Sequence, residues 1–595
     1  VNSTLRYSLL AVFGILAIAM TWNMALRSQE ELLWGYRTQV LFLALFFFFL
    51  LLVQPVWLKK GKPWRWLSLS GLSMLLLSIG FPDILFPFPF LLFLGFIPLL
   101  IIEKEISESE GLRRGYAFWK YAWVTFLGWN IITTFWVSNT AISAGVFAMV
   151  ANSLLMTIPM ILFHHTKRRI PQLGLTAFIA YWISWEFFHL NWELTWPWLT
   201  LGNGFAEWPA LVQWYEYTGV FGGTLWLLLG NVLGFRIYQK RVRKKPIRGW
   251  IIRTGVLLLL PVLASLYLFY SYEEKGRAVE VIVVQPNYEP HYVKFTVPNP
   301  VQMDQMIRLT DSLIRPETRY VVFPEAVIHN YEIDRPRNHA AIRKLEQHYR
   351  DYPGLNILLG ISAYEILANG DQTSRNKRVY ISRTGDTVSY ESSNIAAQLT
   401  LGEEAIPVYK KSKLVPGVEI FPFQDVLWMF KPIVDQVGGT TAGLASQTDR
   451  TAFASQSGRV GTLICYESVF GEFVTGFVRN GAEALFVMTN DGWWDDTPGH
   501  RQHMRYASLR AIETRRAIGR AANTGISAFL DQRGIIREKI PYNQTGADRS
   551  TMLFNDQITF YVRWGNIIAR ISAFLAGLLF LNLVVRILSG RSIKS

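Results

Sequence analysis

The chain has a single cysteine, Cys465, in 595 residues. One thiol excludes an intramolecular disulfide and any multi-thiolate metal site. Charge is also scarce. Asp, Glu, Lys and Arg make up 17% of the residues against 51% hydrophobic, too little charge for an ordinary soluble domain and suited to a polytopic membrane protein with a soluble part. Internal repeats and low-complexity tracts are not evident. The charge that is present leans positive, with a formal net charge of +15. A basic excess is one mark of nucleic-acid binding, so the positions of the basic residues decide its meaning.

Residues 1–271 are a succession of apolar runs. The expected spans lie near 7–26, 39–58, 67–84, 86–102, 117–137, 144–163, 172–190, 219–238 and 251–271, each approaching the ~20 apolar residues that cross a bilayer core. The first run is long and lacks a basic leading segment, so it reads as a membrane helix rather than a signal peptide. Basic clusters follow every second span: Lys59, Lys60, Lys62 and Arg65; Arg113, Arg114 and Lys120; Lys167, Arg168 and Arg169; then Lys240, Arg241, Arg243, Lys244, Lys245 and Arg248. This alternation follows the positive-inside rule. It implies a cytoplasmic N-terminus, nine spans, and residue 272 on the outer side. It also accounts for most of the net charge and argues against a nucleic-acid partner. A last apolar run, 565–585, is followed by Arg586, Arg591 and Lys594, which predicts a cytoplasmic C-terminus. Three regions result: membrane helices over 1–271, an extracytoplasmic domain over 272–562, and a membrane helix with its tail over 563–595. Two features inside the membrane region stand out. The loop 191–218 holds Trp192, Trp196 and Trp198, a density expected of an interfacial belt or of a rim that admits a lipid. Glu186, near the end of the seventh span, is an intramembrane or interfacial carboxylate.

From Val279 the pattern changes to strands alternating with helices. Strands are expected at Val279–Gln285, Tyr320–Phe323, Asn356–Gly360, Val460–Ile464 and Ala484–Thr489. Helices are expected at 301–315, 337–350, 469–480 and 500–519. Hairpins are expected around Thr384-Gly385 and Gln532-Arg533-Gly534, and a flexible loop over 433–457. This is the grammar of a layered α/β domain.

Three polar residues sit at segment ends, where α/β folds build sites. Glu325 follows a strand directly after Pro324, Lys411 lies in Tyr409-Lys410-Lys411-Ser412-Lys413-Leu414, and Cys465 ends the Val460–Ile464 strand. A thiol needs a base to become a nucleophile, and a carboxylate supplies one. The oxyanion of a tetrahedral intermediate needs a donor, and an ammonium supplies one. Singly, each residue reads as a solvated charge or a small buried hydrophobe. Together they are sufficient for acyl transfer. His500 and His503 have no third ligand and read as surface or packing residues, so no metal is expected.

Phe323-Pro324-Glu325, Tyr409 to Leu414 and Leu463-Ile464-Cys465-Tyr466-Glu467 resemble, in order, the three catalytic motifs of the nitrilase superfamily. The flanking membrane spans narrow this to a resemblance to the apolipoprotein N-acyltransferase family. Leu414-Val415-Pro416, Thr489 to Trp494, Gln502-His503, Arg510 to Glu513 and Arg520 to Gly525 are similar to its further motifs, and Trp196-Pro197-Trp198-Leu199 to its interfacial loop. The resemblance implies a nitrilase-like α-β-β-α sandwich beside a polytopic helical domain. It makes Glu325 the general base, Lys411 the oxyanion stabiliser and Cys465 the nucleophile. Glu419 becomes a further essential carboxylate, and Tyr466, Glu467, Asn376 and Trp198 become supporting or substrate-binding residues. The implied reaction is ping-pong transfer of an acyl chain from a phospholipid, through a Cys465 thioester, to the α-amine of an S-diacylglyceryl cysteine on an apolipoprotein. The implied enzyme is a monomer of the bacterial inner membrane with a periplasmic catalytic domain, needing no metal or cofactor. Where the family usually has Phe-Gly-Glu, this chain has Gly417-Val418-Glu419, and its first two spans are additional to the usual eight. A membrane-tethered nitrilase-like amidase using water as acceptor is the alternative enzyme.

Overall fold

The structure is a computed structural model that describes residues 3–84, 86, 88–368, 376–381, 387–427, 429 and 443–589. The turn expected at Thr384-Gly385, the first part of the 433–457 loop, and Arg591 and Lys594 lie outside the described residues. Six helical segments among the described residues are long and apolar enough to cross a membrane: Ser3–Gln29, Arg37–Trp57, Ile142–Arg169, Val220–Val242, Arg248–Ser271 and Ile567–Leu588. They coincide with six of the ten expected runs. The other four are helical but shorter, interrupted or less apolar. Pro63–Ile79 and Gly174–His189 are short, and Arg114–Thr134 carries a mixed aromatic and polar sequence. The run expected over 86–102 is broken into a 3-10 turn, Pro89–Leu91, and the helices Leu92–Gly95 and Ile97–Glu108. Proline at the start of two of these pieces explains the breaks, since it lacks the N–H that a continuing helix needs.

Among the described residues the α/β domain holds fourteen strands. The first sheet contains β1 (Arg277–Gln285), β2 (Thr318–Val322), β3 (Ile328–Glu332), β4 (Asn356–Ile366), β5 (Arg378–Ile381), β6 (Thr387–Thr400) and β7 (Val408–Lys410). The second contains β8 (Ala452–Ser455), β9 (Gly458–Ile464), β10 (Ala484–Thr489), β11 (Ile518–Ala522), β12 (Ser527–Leu530) and β13 (Ile536–Ile540). The last strand, β14 (Gly546–Phe554), returns to the first sheet beside β1, giving the order β14-β1-β2-β4-β6-β5, with β3 on β4 and β7 on β6. The second sheet runs β13-β12-β11-β10-β9-β8. At the centres β1, β2 and β4 run parallel, as do β9, β10 and β11.

Successive side chains on a strand face opposite ways, and in β1 both faces are buried. Val281 and Val283 point to the second sheet, whereas Ile282 and Val284 join a separate core beneath the helices Asn299–Asp311 and Ala340–His348. That is why β1, β2 and β4 read as continuous apolar runs rather than alternating ones. Between the sheets the Tyr320 ring packs 5.6 Å from Phe486, and its hydroxyl lies 2.8 Å from the Ser455 hydroxyl. Helices Gly471–Arg479 and Pro498–Thr514 cover the second sheet. The architecture is therefore α-β-β-α, as the sequence implies. Three differences are informative. The helix expected over 500–519 ends at Thr514, where Arg515 takes φ 51°, and the chain re-enters the sheet as β11. Ala452–Ser455, in the expected loop, is an edge strand paired with β9. The strands β3, β7 and β14 were not expected at all.

Helix Pro498–Thr514 joins the two parts of the molecule. The Gln502 amide donates to the carbonyls of Pro82 and Thr133, and the Tyr506 hydroxyl donates to the carbonyl of Trp198 at 2.7 Å. Further along the helix, Arg510 and Glu513 form a fully buried ion pair, Nε to Oε2 2.7 Å. Arg510 also donates to the Val469 carbonyl, and Glu513 accepts from the Val220 backbone N–H at the head of a membrane helix. Removing one partner strands a buried charge, which costs about 3–5 kcal/mol. Arg510→Met should therefore lower the thermal unfolding midpoint of the detergent-solubilised protein sharply. Arg510→Met with Glu513→Leu should cost less than the two single losses added.

Candidate active site

Glu325, Lys411 and Cys465 come from three different strand ends. Glu325 lies just past β2, where Ala326 turns with φ 51°. Strand β4 passes close beneath this turn. A Cβ on Gly360 would meet the Pro324 carbonyl oxygen at 2.5 Å and Glu325 Cα at 2.6 Å, so glycine is what lets β4 approach. Lys411 follows β7, and its backbone N–H donates to the Asn394 carbonyl on β6. Cys465 follows β9 and opens the 3-10 turn Cys465–Val469 with φ 50°, a left-handed conformation uncommon outside glycine.

The Lys411 ammonium, 1% exposed, is held between two carboxylates: Glu419 Oε1 at 2.8 Å and Glu325 Oε1 at 3.4 Å. Burial works against its charge. The Glu419 and Glu325 carboxylates and the Cys465 sulfur outweigh burial and lift its pKa above the usual lysine range. The ammonium is thus kept charged in a dry site. The neighbouring lysines are occupied elsewhere: Lys410 pairs with Glu365, and Lys413 reaches the Leu190 carbonyl and the Phe470 ring. Asn394, which sequence reasoning missed, ties the carboxylates together. Its Nδ2 donates to Glu325 Oε1 at 2.7 Å and to Glu419 Oε1 at 3.4 Å. Glu419 is steadied further by the Val415 N–H at 2.8 Å, so Gly417-Val418 still delivers this carboxylate. Lys294 is a second missed group. Fully buried, its ammonium donates to the Glu325 carbonyl at 3.0 Å, and burial pulls its pKa down to about 8, with Glu325 opposing.

The supporting residues fall in different places. Glu467 is fully buried. It accepts from the Tyr409 hydroxyl at 2.6 Å and from the N–H groups of Ser412, Lys413 and Ile464. It therefore stitches the Lys411 loop to the Cys465 turn, and burial pushes its carboxyl upward against those bonds. Tyr466 turns toward the membrane part, its hydroxyl donating to the Thr195 carbonyl at 2.9 Å. Asn376 lies at the far side of Glu419. It donates to the Leu444 carbonyl, while the Leu444 N–H donates to the Glu419 carbonyl. Trp198 is buried rather than at a rim. It packs among Trp136, Trp494, Tyr466 and His503, with ring centroids 4.8–6.2 Å apart, because this loop is where the membrane part meets the sandwich. His503 is buried beside Cys465 and His500 is buried against Tyr542, so neither is a surface residue. Glu186 is enclosed within the helices, accepting from Trp182, Leu201 and Thr224. No group of three or more His, Cys, Asp or Glu suited to a metal occurs among the described residues.

A carboxylate, a locked ammonium and a thiol at the ends of β2, β7 and β9 sit on a sandwich of the carbon–nitrogen hydrolase class. Residues 283–579 match the carbon-nitrogen hydrolase family model, and residues 73–233 match that of the apolipoprotein N-acyltransferase N-terminal domain. The chain is 28% identical over 541 residues to an apolipoprotein N-acyltransferase of Chlorobaculum tepidum, covering 88% of this chain and 97% of the relative. It is 26% identical to that of Geobacter metallireducens, over 85% and 93%, and 25% identical to that of Thermotoga maritima, over 87% and 95%. The chain belongs to the apolipoprotein N-acyltransferase family and is an acyltransferase.

The thiol's setting is measurable. Burial pushes Cys465 above its ordinary 9.0, Glu325 adds to the push, and Lys411 opposes it. The thiol rests protonated at neutral pH. Iodoacetamide alkylation of Cys465, followed by mass spectrometry from pH 7 to 10, should still be accelerating at pH 9. Glu325→Gln removes a negative neighbour and should shift the profile to lower pH, even as acyl transfer falls by about 10²–10⁴. Lys411→Met should shift it upward. A plateau below pH 9 in the wild type contradicts this.

Proposed function

We propose that the protein moves an acyl chain from a membrane phospholipid to the N-terminal amine of an S-diacylglyceryl cysteine on an apolipoprotein, by way of a thioester on Cys465. In the first half, the Glu325 carboxylate takes the thiol proton as Sγ attacks the ester carbonyl carbon. Negative charge gathers on the carbonyl oxygen, opposite the Lys411 ammonium, whose charge Glu419 and Glu325 maintain. Collapse breaks the ester C–O bond, the glycerol oxygen takes the proton back from Glu325, and a lysophospholipid leaves. In the second half the acceptor amine attacks the thioester, Glu325 receives the amine proton, and collapse to the amide returns that proton to the departing thiolate.

The observation that carries this reading is the ammonium held between two carboxylates and coupled to the one thiol of the chain. Proximity to the bilayer supports a lipid donor. The Cys465 turn bonds the membrane loop through Tyr466 and Thr195, and Lys413 bonds Leu190 at the end of a membrane helix. With the N-terminus and C-terminus cytoplasmic, as the basic loops imply, the catalytic domain is periplasmic, where exported acceptors arrive.

Incubating the purified full-length protein in detergent with phospholipid should add one acyl mass to a Cys465 peptide. The adduct should be absent from Cys465→Ala and should disappear when a diacylglyceryl-cysteine peptide is added, with appearance of the N-acylated peptide. Absence of an adduct in the wild type, or N-acylation by Cys465→Ala, would overturn the mechanism. Discharge of the adduct to free fatty acid in preference to the peptide would mark a hydrolase.

A further inference from the structure

Beneath Cys465 lies a buried polar cluster that the acyl-transfer steps do not use. His503, on helix Pro498–Thr514, places Nε2 at 3.0 Å from the Cys465 carbonyl and 2.8 Å from the Ser468 hydroxyl. The Ser468 hydroxyl itself donates to the Cys465 carbonyl at 2.9 Å. A carbonyl only accepts, and the hydroxyl proton is already committed, so Nε2 carries the proton and donates to both. On its other side, His503 Nδ1 lies 2.9 Å from Asp491 Oδ1. Asp491 accepts from the Thr489 hydroxyl at 2.6 Å and is paired with Arg520, whose Nη2 also lies 3.1 Å from His503 Nδ1. Asp491, His503 and Arg520 are fully buried.

We propose that His503 and Asp491 are positioning residues for the nucleophile: with Thr489 they form a buried hydrogen-bonded chain, Thr489 to Asp491 to His503, that ends on the Cys465 carbonyl. The inference rests on Cys465 being the acylated residue. Two observations favour it over a cluster that only fills the core. A buried ion pair with an imidazole is a poor source of net stability compared with apolar packing, yet this one is aimed at the backbone carbonyl of Cys465. That residue also has a left-handed backbone, a conformation that persists only where its surroundings hold it. The chain of bonds through His503 supplies the hold. Trp198 and Trp494 wall the imidazole, with ring centroids 5.9 and 5.5 Å away, which fixes its plane. The groups that act on the thiol's charge from the surrounding elements are Glu325, Lys411 and Asp491. His503 touches the backbone of Cys465 and leaves the acid–base chemistry to Glu325.

The test compares wild type, His503→Leu, His503→Gln and Thr489→Val as full-length proteins in detergent. The rate constant for acyl-adduct formation on Cys465 is measured at saturating phospholipid and normalised to folded protein. A misplaced nucleophile costs on the order of 10²-fold. His503→Leu should slow adduct formation about 10²-fold with the half-saturating phospholipid concentration unchanged. His503→Gln, which restores an N–H donor near Nε2, should recover to within about tenfold of wild type. Thr489→Val should be slower by about tenfold. The inference is overturned if His503→Leu acylates within roughly twofold of wild type, or if His503→Gln is as slow as His503→Leu and both follow the melting temperature. If His503→Leu does not fold, Thr489→Val decides, and an unchanged rate overturns the inference. Absence of any adduct in the wild type defeats the Cys465 reading and this inference with it. Equal rates across the set, with an adduct present, defeat this inference alone.

Discussion

The catalytic half of the molecule depends on one interaction, the buried Lys411 ammonium clasped by Glu325 and Glu419. Isolated, that ammonium would shed its proton, because desolvation disfavours the charged form. With two carboxylates in reach the balance reverses. The arrangement has a second effect. Glu325 is drawn to Lys411 and Asn394 on one oxygen, which leaves its other oxygen free of those two partners. The strands are arranged to serve this contact. β2 delivers Glu325, β7 delivers Lys411, and β6 carries Asn394 between them. Cys465 arrives from the other sheet, and Glu467 ties its turn to the Lys411 loop.

The second constraint is the joint between sandwich and membrane helices. Helix Pro498–Thr514 is bonded to the membrane part through Gln502, Tyr506 and Glu513, while its His503 bonds the Cys465 carbonyl. A single rigid helix therefore registers the thiol against the membrane part. This connection also places Trp198, Trp136 and Trp494 in one aromatic cluster at the joint. Apolar rings can bridge a lipid-facing bundle and a sandwich without stranding polar groups.

The sequence makes the sandwich and its three central residues legible for a physical reason. Glu325 and Cys465 each follow an apolar strand, so a break in hydrophobicity marks their positions, whereas Lys411 follows the short Val408–Lys410 and is marked only by its motif. Asn394 carries no such mark. It sits inside the fourteen-residue β6, and its role depends on carboxylates 69 and 25 residues away. Lys294 likewise follows an unremarkable loop, and only the fold reveals that its ammonium is buried. β11 was hidden because the helical pattern runs on into Ile518, and the left-handed Arg515 that ends the helix is not a glycine. Trp198 shows how an aromatic-rich loop suggests an interface without saying which one. The indole lies at the meeting of two domains, where the composition matches that of a lipid–water boundary.

The most direct test of the central claim is a structure of the acyl-enzyme, trapped with phospholipid in the absence of acceptor. If the clasped ammonium serves the oxyanion, the thioester carbonyl oxygen on Cys465 should lie within about 3 Å of Lys411 Nζ, with Glu419 still bonded to that nitrogen. A thioester carbonyl turned away from Lys411, with no contact to the ammonium, would contradict the account.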